Sequence, residues 1–377
     1  MKKTFIVVLT ALMLSGYASW VMKSYADSET PQPVTREVSW PEQRVVNAKF
    51  YPELPETPRL QYLVSITLAD DTNIRKFPLK QSKQFITIKR PYDMGAVKGK
   101  IYVSDRKFKK IVIVDLQEKN LRFIKGDYKS AGIWVTEDDY KYVADFENRN
   151  IIVFNDSNEP VRIYHDSIFE KPLDVAVFEN RIYVVDINKH QVFILDKKMG
   201  HVVSSIGGAG KEEGEFFKPS HVIVDQQGNL YVNDFFNFRI QKLAPDGTFI
   251  KKFGYAGDTL GALARPKGLD LDQEGHLYVV DAAFENVQIF DDETTDLLLF
   301  FGGFGIDDGQ MYLPSPVLVD YSNIEYFKSY ADKDFDIKYL VYVGNTLGPL
   351  TLNVYGFGEW KGSPPSDVKE TEVKETP

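Results

Sequence analysis

The chain has 377 residues, 45 Lys+Arg against 54 Asp+Glu, a net charge of −9 and no cysteine. The missing cysteine excludes a disulfide scaffold, a cysteine-ligated metal or iron–sulfur centre and thiol catalysis, and the acidic balance argues against a protein built to hold nucleic acid. With 14% aromatics, 26 Gly and 19 Pro, the composition favours many short strands joined by tight turns.

Residues 1–26 read as a leader. Lys2 and Lys3 precede an apolar run from Phe5 to Leu14, and small residues precede possible cuts after Ala26 or Ala18. Leu14-Ser-Gly16 resembles the start of a lipobox, but Tyr17 stands where the lipidated cysteine must be. The alternative is an uncleaved membrane anchor, because apolar residues continue to Met22, roughly the ~18 needed to span a bilayer. Both readings place the rest of the chain in an extracytoplasmic space, periplasmic or secreted. Removing the leader leaves −12.

Residues 27–57, with Pro31, Pro33, Pro41, Pro52 and Pro55, read as an extended linker. The segment Arg59-Leu-Gln-Tyr-Leu-Val-Ser-Ile66 has strand character but no repeat of its own, and it is expected to close a ring by joining the last repeat. Residues 58–360 hold the folded domain, and 361–377 read as a disordered polar tail.

Between these ends one phrase recurs: Ile101-Tyr-Val-Ser-Asp105, Tyr140-Lys-Tyr-Val-Ala-Asp145, Ile182-Tyr-Val-Val-Asp186, Leu230-Tyr-Val-Asn-Asp234, Leu277-Tyr-Val-Val-Asp281 and, degenerate, Leu340-Val-Tyr-Val-Gly-Asn345. A second apolar run follows each copy, and Pro with a short strand precedes most of them. The last residues of the phrase are 40, 41, 48, 47 and 64 positions apart. Small antiparallel sheets at this period, each able to bury its faces only against its neighbours, predict an all-β, six-bladed β-propeller.

Gly228-Asn-Leu-Tyr-Val-Asn-Asp-Phe-Phe-Asn-Phe-Arg-Ile-Gln241 resembles the NHL repeat, as does Gly275-His-Leu-Tyr-Val-Val-Asp-Ala-Ala-Phe-Glu-Asn-Val-Gln288. The likeness covers roughly residues 90–356 and is greatest to exported bacterial propellers of this type. It implies the fold and, more loosely, an interaction or scaffold role near the envelope. Related lyases and lactonases make a metal-dependent enzyme the alternative. In such proteins the Arg of the phrase, here Arg239, usually pairs structurally with an Asp.

Asp105, Asp145, Asp186, Asp234, Asp281 and Asn345 each follow a strand and precede a turn, so they are expected to accept backbone N–H bonds and fix the bend. One per blade, they stand too far apart to share an ion. The position two after each blade-opening residue is expected to face the central channel. Its occupants are Asp93, Gly132, Asp174, His221, Gly268 and Pro316, with Asp174 and His221 neighbours and Asp93 across the ring. Asp93, Asp174 and His221 are the candidate ligands if the alternative holds and a divalent cation sits in the channel; otherwise no metal or cofactor is expected, and water satisfies a polar channel. The five histidines show no H-x-x-H or H-E-x-x-H spacing, and Gly207-Gly-Ala-Gly-Lys211 lacks the P-loop spacing.

Charge is unevenly spread. Residues 75–129 carry sixteen Lys/Arg against five acids, a surplus of +11 that leaves −23 elsewhere after the leader is removed. Arg106, Lys107, Lys109 and Lys110 form the densest patch. They read either as a solvated face paired with acids of other blades, such as Glu137, Asp138 and Asp139, or as a docking surface for an acidic envelope protein, an anionic polymer or lipid head groups. The protein is expected to be a monomer that binds no nucleic acid.

Overall fold

The computed structural model describes residues 48–362 apart from 55, 70–72 and 81–85. The stretch read as a leader, most of that read as linker and all but the first two residues of that read as tail lie outside the described residues. Six antiparallel sheets follow one another along the chain. Blade 1 runs outward through Pro91–Val97, Lys100–Asp105, Lys110–Asp115 and Asn120–Phe123. Blades 2 to 5 repeat that order from innermost strands Ser130–Val135, Pro172–Phe178, Val222–Val224 and Pro266–Leu271.

Blade 6 takes three strands from the C-terminal end, Pro314–Asp320, Phe335–Asn345 and Leu352–Trp360. Leu60–Ile66 supplies the next, in antiparallel register from Leu60 opposite Phe357 to Ile66 opposite Leu352. The expected closure is thus present: pairing the N-terminal segment with the last blade removes the edge that an open array would leave. A further strand, Lys49–Tyr51, lies within the stretch read as linker and pairs outside Leu60–Ile66, so this sheet has five strands. The 64-residue last spacing comes from an insertion after Asp320, where Phe327 of a short helix packs on Phe77 and Tyr342.

Each second strand is a run of β-branched and aromatic residues with both faces covered, which suits a blade sandwiched between two others. The buried apolar residues fall into six clusters, each spanning one junction between successive blades. Tyr102 and Ile113 of blade 1, for instance, meet Ile133 and Val143 of blade 2. Outer strands are wetter, and Val161 and Ile163 of blade 2 are exposed.

Candidate functional site: the mouth of the central channel

The repeated aspartates build the mouth face. The Asp105 carboxylate accepts N–H bonds from Lys89 and Arg90 on the incoming segment and from Lys107 and Phe108 in its own turn, at 2.6 to 3.0 Å. Asp186 does the same for Glu170, Lys171, Asn188 and Lys189, and Asp281 for Ala264, Arg265, Ala283 and Phe284. Asp145 holds Asn148, while Asp234 accepts from the Phe217 N–H and pairs with Arg239 at 2.8 Å. Asn345 accepts from the Tyr312 N–H and donates to the Leu350 carbonyl, a donation a carboxylate could not make. The fourth residue after each aspartate (Lys109, Arg149, His190, Phe238, Glu285) is left-handed, with φ between 55° and 58°. Non-glycine residues adopt that conformation at a cost of about 1 kcal/mol, which the turn's hydrogen bonds offset.

Inside the channel, backbone pairing shifts register just after the opening residue of the innermost strand in five of the six blades, turning the next side chains inward. Asp93 accepts from the Met94 N–H at 2.8 Å and from Ile133 of blade 2 at 2.7 Å. Asp174 accepts from Val175 and from Val222 of blade 4, both at 2.8 Å. Asp270 accepts from Leu271 at 2.9 Å and from Val319 of blade 6 at 2.7 Å. Blades 1, 3 and 5 are thereby stapled to blades 2, 4 and 6. Gly268 lies against the backbone of Pro316, a Cβ there coming within 2.8 Å of its Cα.

Asp93 does not lie across the ring from Asp174. Their carboxyl groups converge on Gly132-Ile133 and come within hydrogen-bonding reach of each other. Gly132 makes this possible, since a Cβ there would lie 1.9 Å from Asp174 Oδ1. Burial pushes Asp93 up to about 6, and burial together with the Asp93 charge raises Asp174 well above the ordinary carboxylate range. Burial likewise pushes Asp270 up to about 7.

His221 takes no part in that pair. Its ring stacks on Tyr92 at 4.7 Å, joining blades 1 and 4 across the channel, and the Tyr92 hydroxyl donates to the Ser220 carbonyl at 3.1 Å. His221 Nδ1 lies 3.0 Å from the Ser220 hydroxyl and Nε2 lies 3.4 Å from the Tyr92 carbonyl, which a neutral ring protonated on Nε2 satisfies. Burial, then the nearby Lys267 and Arg106 charges, push its pKa down to about 3. The suggested cation set of Asp93, Asp174 and His221 therefore does not fit a metal. Both carboxylates are committed to backbone N–H groups, the imidazole is engaged elsewhere, and among the described residues no three His, Cys, Asp or Glu gather to hold an ion.

Around the Tyr92–His221 floor stand residues immediately after three of the repeated aspartates, Arg106, Phe146 and Phe235, with Lys267. The Arg106 guanidinium lies 4.9 Å from the Tyr92 ring centre and 4.5 Å from that of Phe146. Lys267 Nζ lies 4.5 Å from the Phe235 ring centre. Burial, then the Arg265 and Arg106 charges, lower Lys267 to about 8.

The basic patch separates in space. Lys109 pairs with Glu147, and Lys110 bonds the Gly126 carbonyl beside Tyr128. Lys100 and Lys141 share Asp139, Arg122 approaches Asp115 and Lys129 pairs with Asp127. Lys107 is exposed, together with Lys89 and Arg90 on the segment bound by Asp105.

Sequence reasoning did not single out Asp270, Lys267, Phe146 or Phe235. Reading off the residue after each repeated aspartate, Arg106, Phe146, Ile187, Phe235, Ala282 and Thr346, would have exposed most of this ring.

Residues 164–252 match a family described as a 6-bladed beta-propeller (DUF5128). Over 105 residues the chain is 29% identical to a probable peptidyl-alpha-hydroxyglycine alpha-amidating lyase, pgal-1, of Caenorhabditis elegans, a stretch covering 26% of this chain and 30% of that protein. The match thus spans under a third of that relative's length. Among solved structures, the chain resembles a Bacteroides thetaiotaomicron protein of unknown function (TM-score 0.55, 16% identity, 79% of this chain and 75% of that one). It also resembles an auxiliary nutrient binding protein from Bacteroides ovatus (TM-score 0.56, 11% identity, 79% and 76%). At these identities the structural likeness concerns the fold, and the class it defines is the six-bladed β-propeller.

Proposed function

We propose that the chain is an exported, non-enzymatic binding propeller whose mouth face docks an acidic envelope protein or anionic polymer at blade 1. One observation carries this reading. Lys89, Arg90 and Lys107 are exposed around a single turn and have no acidic partner among the described residues; Lys98, Lys119 and Lys125 are likewise exposed and unpaired but are spread over the other turns of blade 1, and Lys100, Lys109, Arg122 and Lys129 are paired. Unpaired cations on a rigid scaffold favour complementary association and make it sensitive to salt. The N-terminal apolar run supports an extracytoplasmic location, and the likeness of fold to a nutrient binding protein supports a binding role. The lyase alternative draws on the Caenorhabditis elegans relative and on the family resemblance, and the channel residues do not fit the cation it was expected to use.

The test is capture from an envelope extract at low and high salt, comparing the unaltered chain with a Lys89→Glu, Arg90→Glu, Lys107→Glu variant. Capture of an acidic species that disappears with salt and with charge reversal is expected. Equal capture by both proteins at low salt would refute the docking surface.

A further inference from the structure

The Arg106–Lys267 pair at the channel mouth is a different feature from the exposed charges of blade 1. Neither side chain has a hydrogen-bond or ion-pair partner among the described residues, although both are half-buried. A half-buried cation without a counter-ion is costly, and two such cations close enough to oppose each other are more so. The aromatic contacts offset part of that cost and also orient the groups. Tyr92 and Phe146 approach the guanidinium of Arg106, while its N–H donors remain unpartnered. An in-plane pair of N–H donors is the geometry that donates to both oxygens of a carboxylate. Lys267 supplies a second positive charge from blade 5, and Phe146, Phe235 and Tyr92 supply an apolar surround.

We propose that the mouth of the channel binds a small organic carboxylate, its oxygens held by Arg106 and Lys267 and its apolar body lying against Phe146, Phe235 and Tyr92. The buried, neutral His221 and its partner Tyr92 form the floor, so the ligand enters from the mouth face and does not pass through the ring.

The charges around Lys267 give this site a signature that simple surface binding lacks. The groups facing it are Arg265 and Arg106, which oppose its proton, Asp281, which favours it, and His221, which is neutral. The Arg265 charge also acts on Glu285, whose carboxylate accepts from the Leu313 N–H. A bound carboxylate adds a negative charge and raises the Lys267 pKa, so binding takes up a proton once the free lysine has begun to lose its own. Affinity should therefore be level below pH 8 and fall by up to tenfold per pH unit above it.

The experiment is calorimetric titration of the folded chain with benzoate, with benzamide as the uncharged isostere and inorganic phosphate as the competing anion. Variants Arg106→Met and Lys267→Met keep the apolar stem on the rings. Benzoate is expected to bind in preference to both comparators, to weaken at least tenfold in each variant, and to lose its dependence on pH above 8 in Lys267→Met. Benzamide binding as tightly as benzoate, phosphate binding more tightly, or a Lys267→Met variant with unchanged affinity and pH slope would each overturn the proposal. The docking surface is untouched by these variants, so failure here leaves that reading standing and the reverse also holds.

Discussion

Replacing Asp93 by Asn tests the paired carboxyl groups of the channel. In the folded protein burial lifts Asp93 from 3.8 to about 6. A carboxyl group raised in this way favours folding at low pH, and that advantage is lost as pH rises from the unfolded value through the folded one. Two units correspond to about 3 kcal/mol, present below pH 4 and gone above pH 7. Asparagine does not titrate and can donate from Nδ2 to Asp174, keeping a hydrogen bond between the two side chains. Its single oxygen cannot serve both the Met94 and Ile133 N–H groups well, and an unpaired buried donor costs about 1–3 kcal/mol. The variant should therefore be less stable than the parent near pH 4.5 and equal to it or more stable near pH 8. Urea unfolding followed by tryptophan fluorescence at both pH values should show a swing of about 2–3 kcal/mol in the difference. A difference that stays constant with pH would refute a raised Asp93 carboxyl.

Three further outcomes follow from the same geometry. Gly132→Ala drives a Cβ to 1.9 Å from Asp174 Oδ1 and 2.7 Å from its Cα, so thermal unfolding should show a loss of several kcal/mol. His276 donates to Asp272 at 2.6 Å, and that bond raises its pKa. Its contribution, about 1 kcal/mol at this partly exposed pair, is present below pH 6.5 and lost as pH rises through the raised value; urea midpoints of His276→Gln should lie further below the parent at pH 6 than at pH 9. A chain beginning at residue 53 should melt cooperatively, whereas one beginning at residue 68 lacks Leu60–Ile66 and should show no cooperative melt by circular dichroism.

Much of the ring was readable from short-range pattern. The Tyr-Val-x-Asp phrase marks a strand with both faces covered, and its aspartate closes the following turn with hydrogen bonds that span only a few residues, apart from those to the incoming segment. The unassigned strand at 59–66 implied a closed ring because an exposed sheet edge is unfavourable. The channel was less legible. Counting two residues from Pro266 leads to Gly268, whereas the carboxylate that staples blade 5 to blade 6 is Asp270, one pleat further on. Strand register decides that, and it depends on pairing with Tyr278 rather than on distance from a proline.

The basic run shows the same division. The sequence by itself determined that +11 charges fall within 55 residues and that a turn follows Asp105. It did not determine where those charges point. The turn ends on a left-handed Lys109, so neighbouring residues diverge: Arg106 goes to the channel rings, Lys107 to solvent and Lys109 to Glu147 of the next blade. The partners of Arg106 come from two blades, and Lys267 lies 161 positions away in sequence on a third. Side-chain charge is a local property. Whether a charge is neutralised, exposed or held unpaired beside aromatic rings depends on groups that only the closed ring brings within a few ångströms.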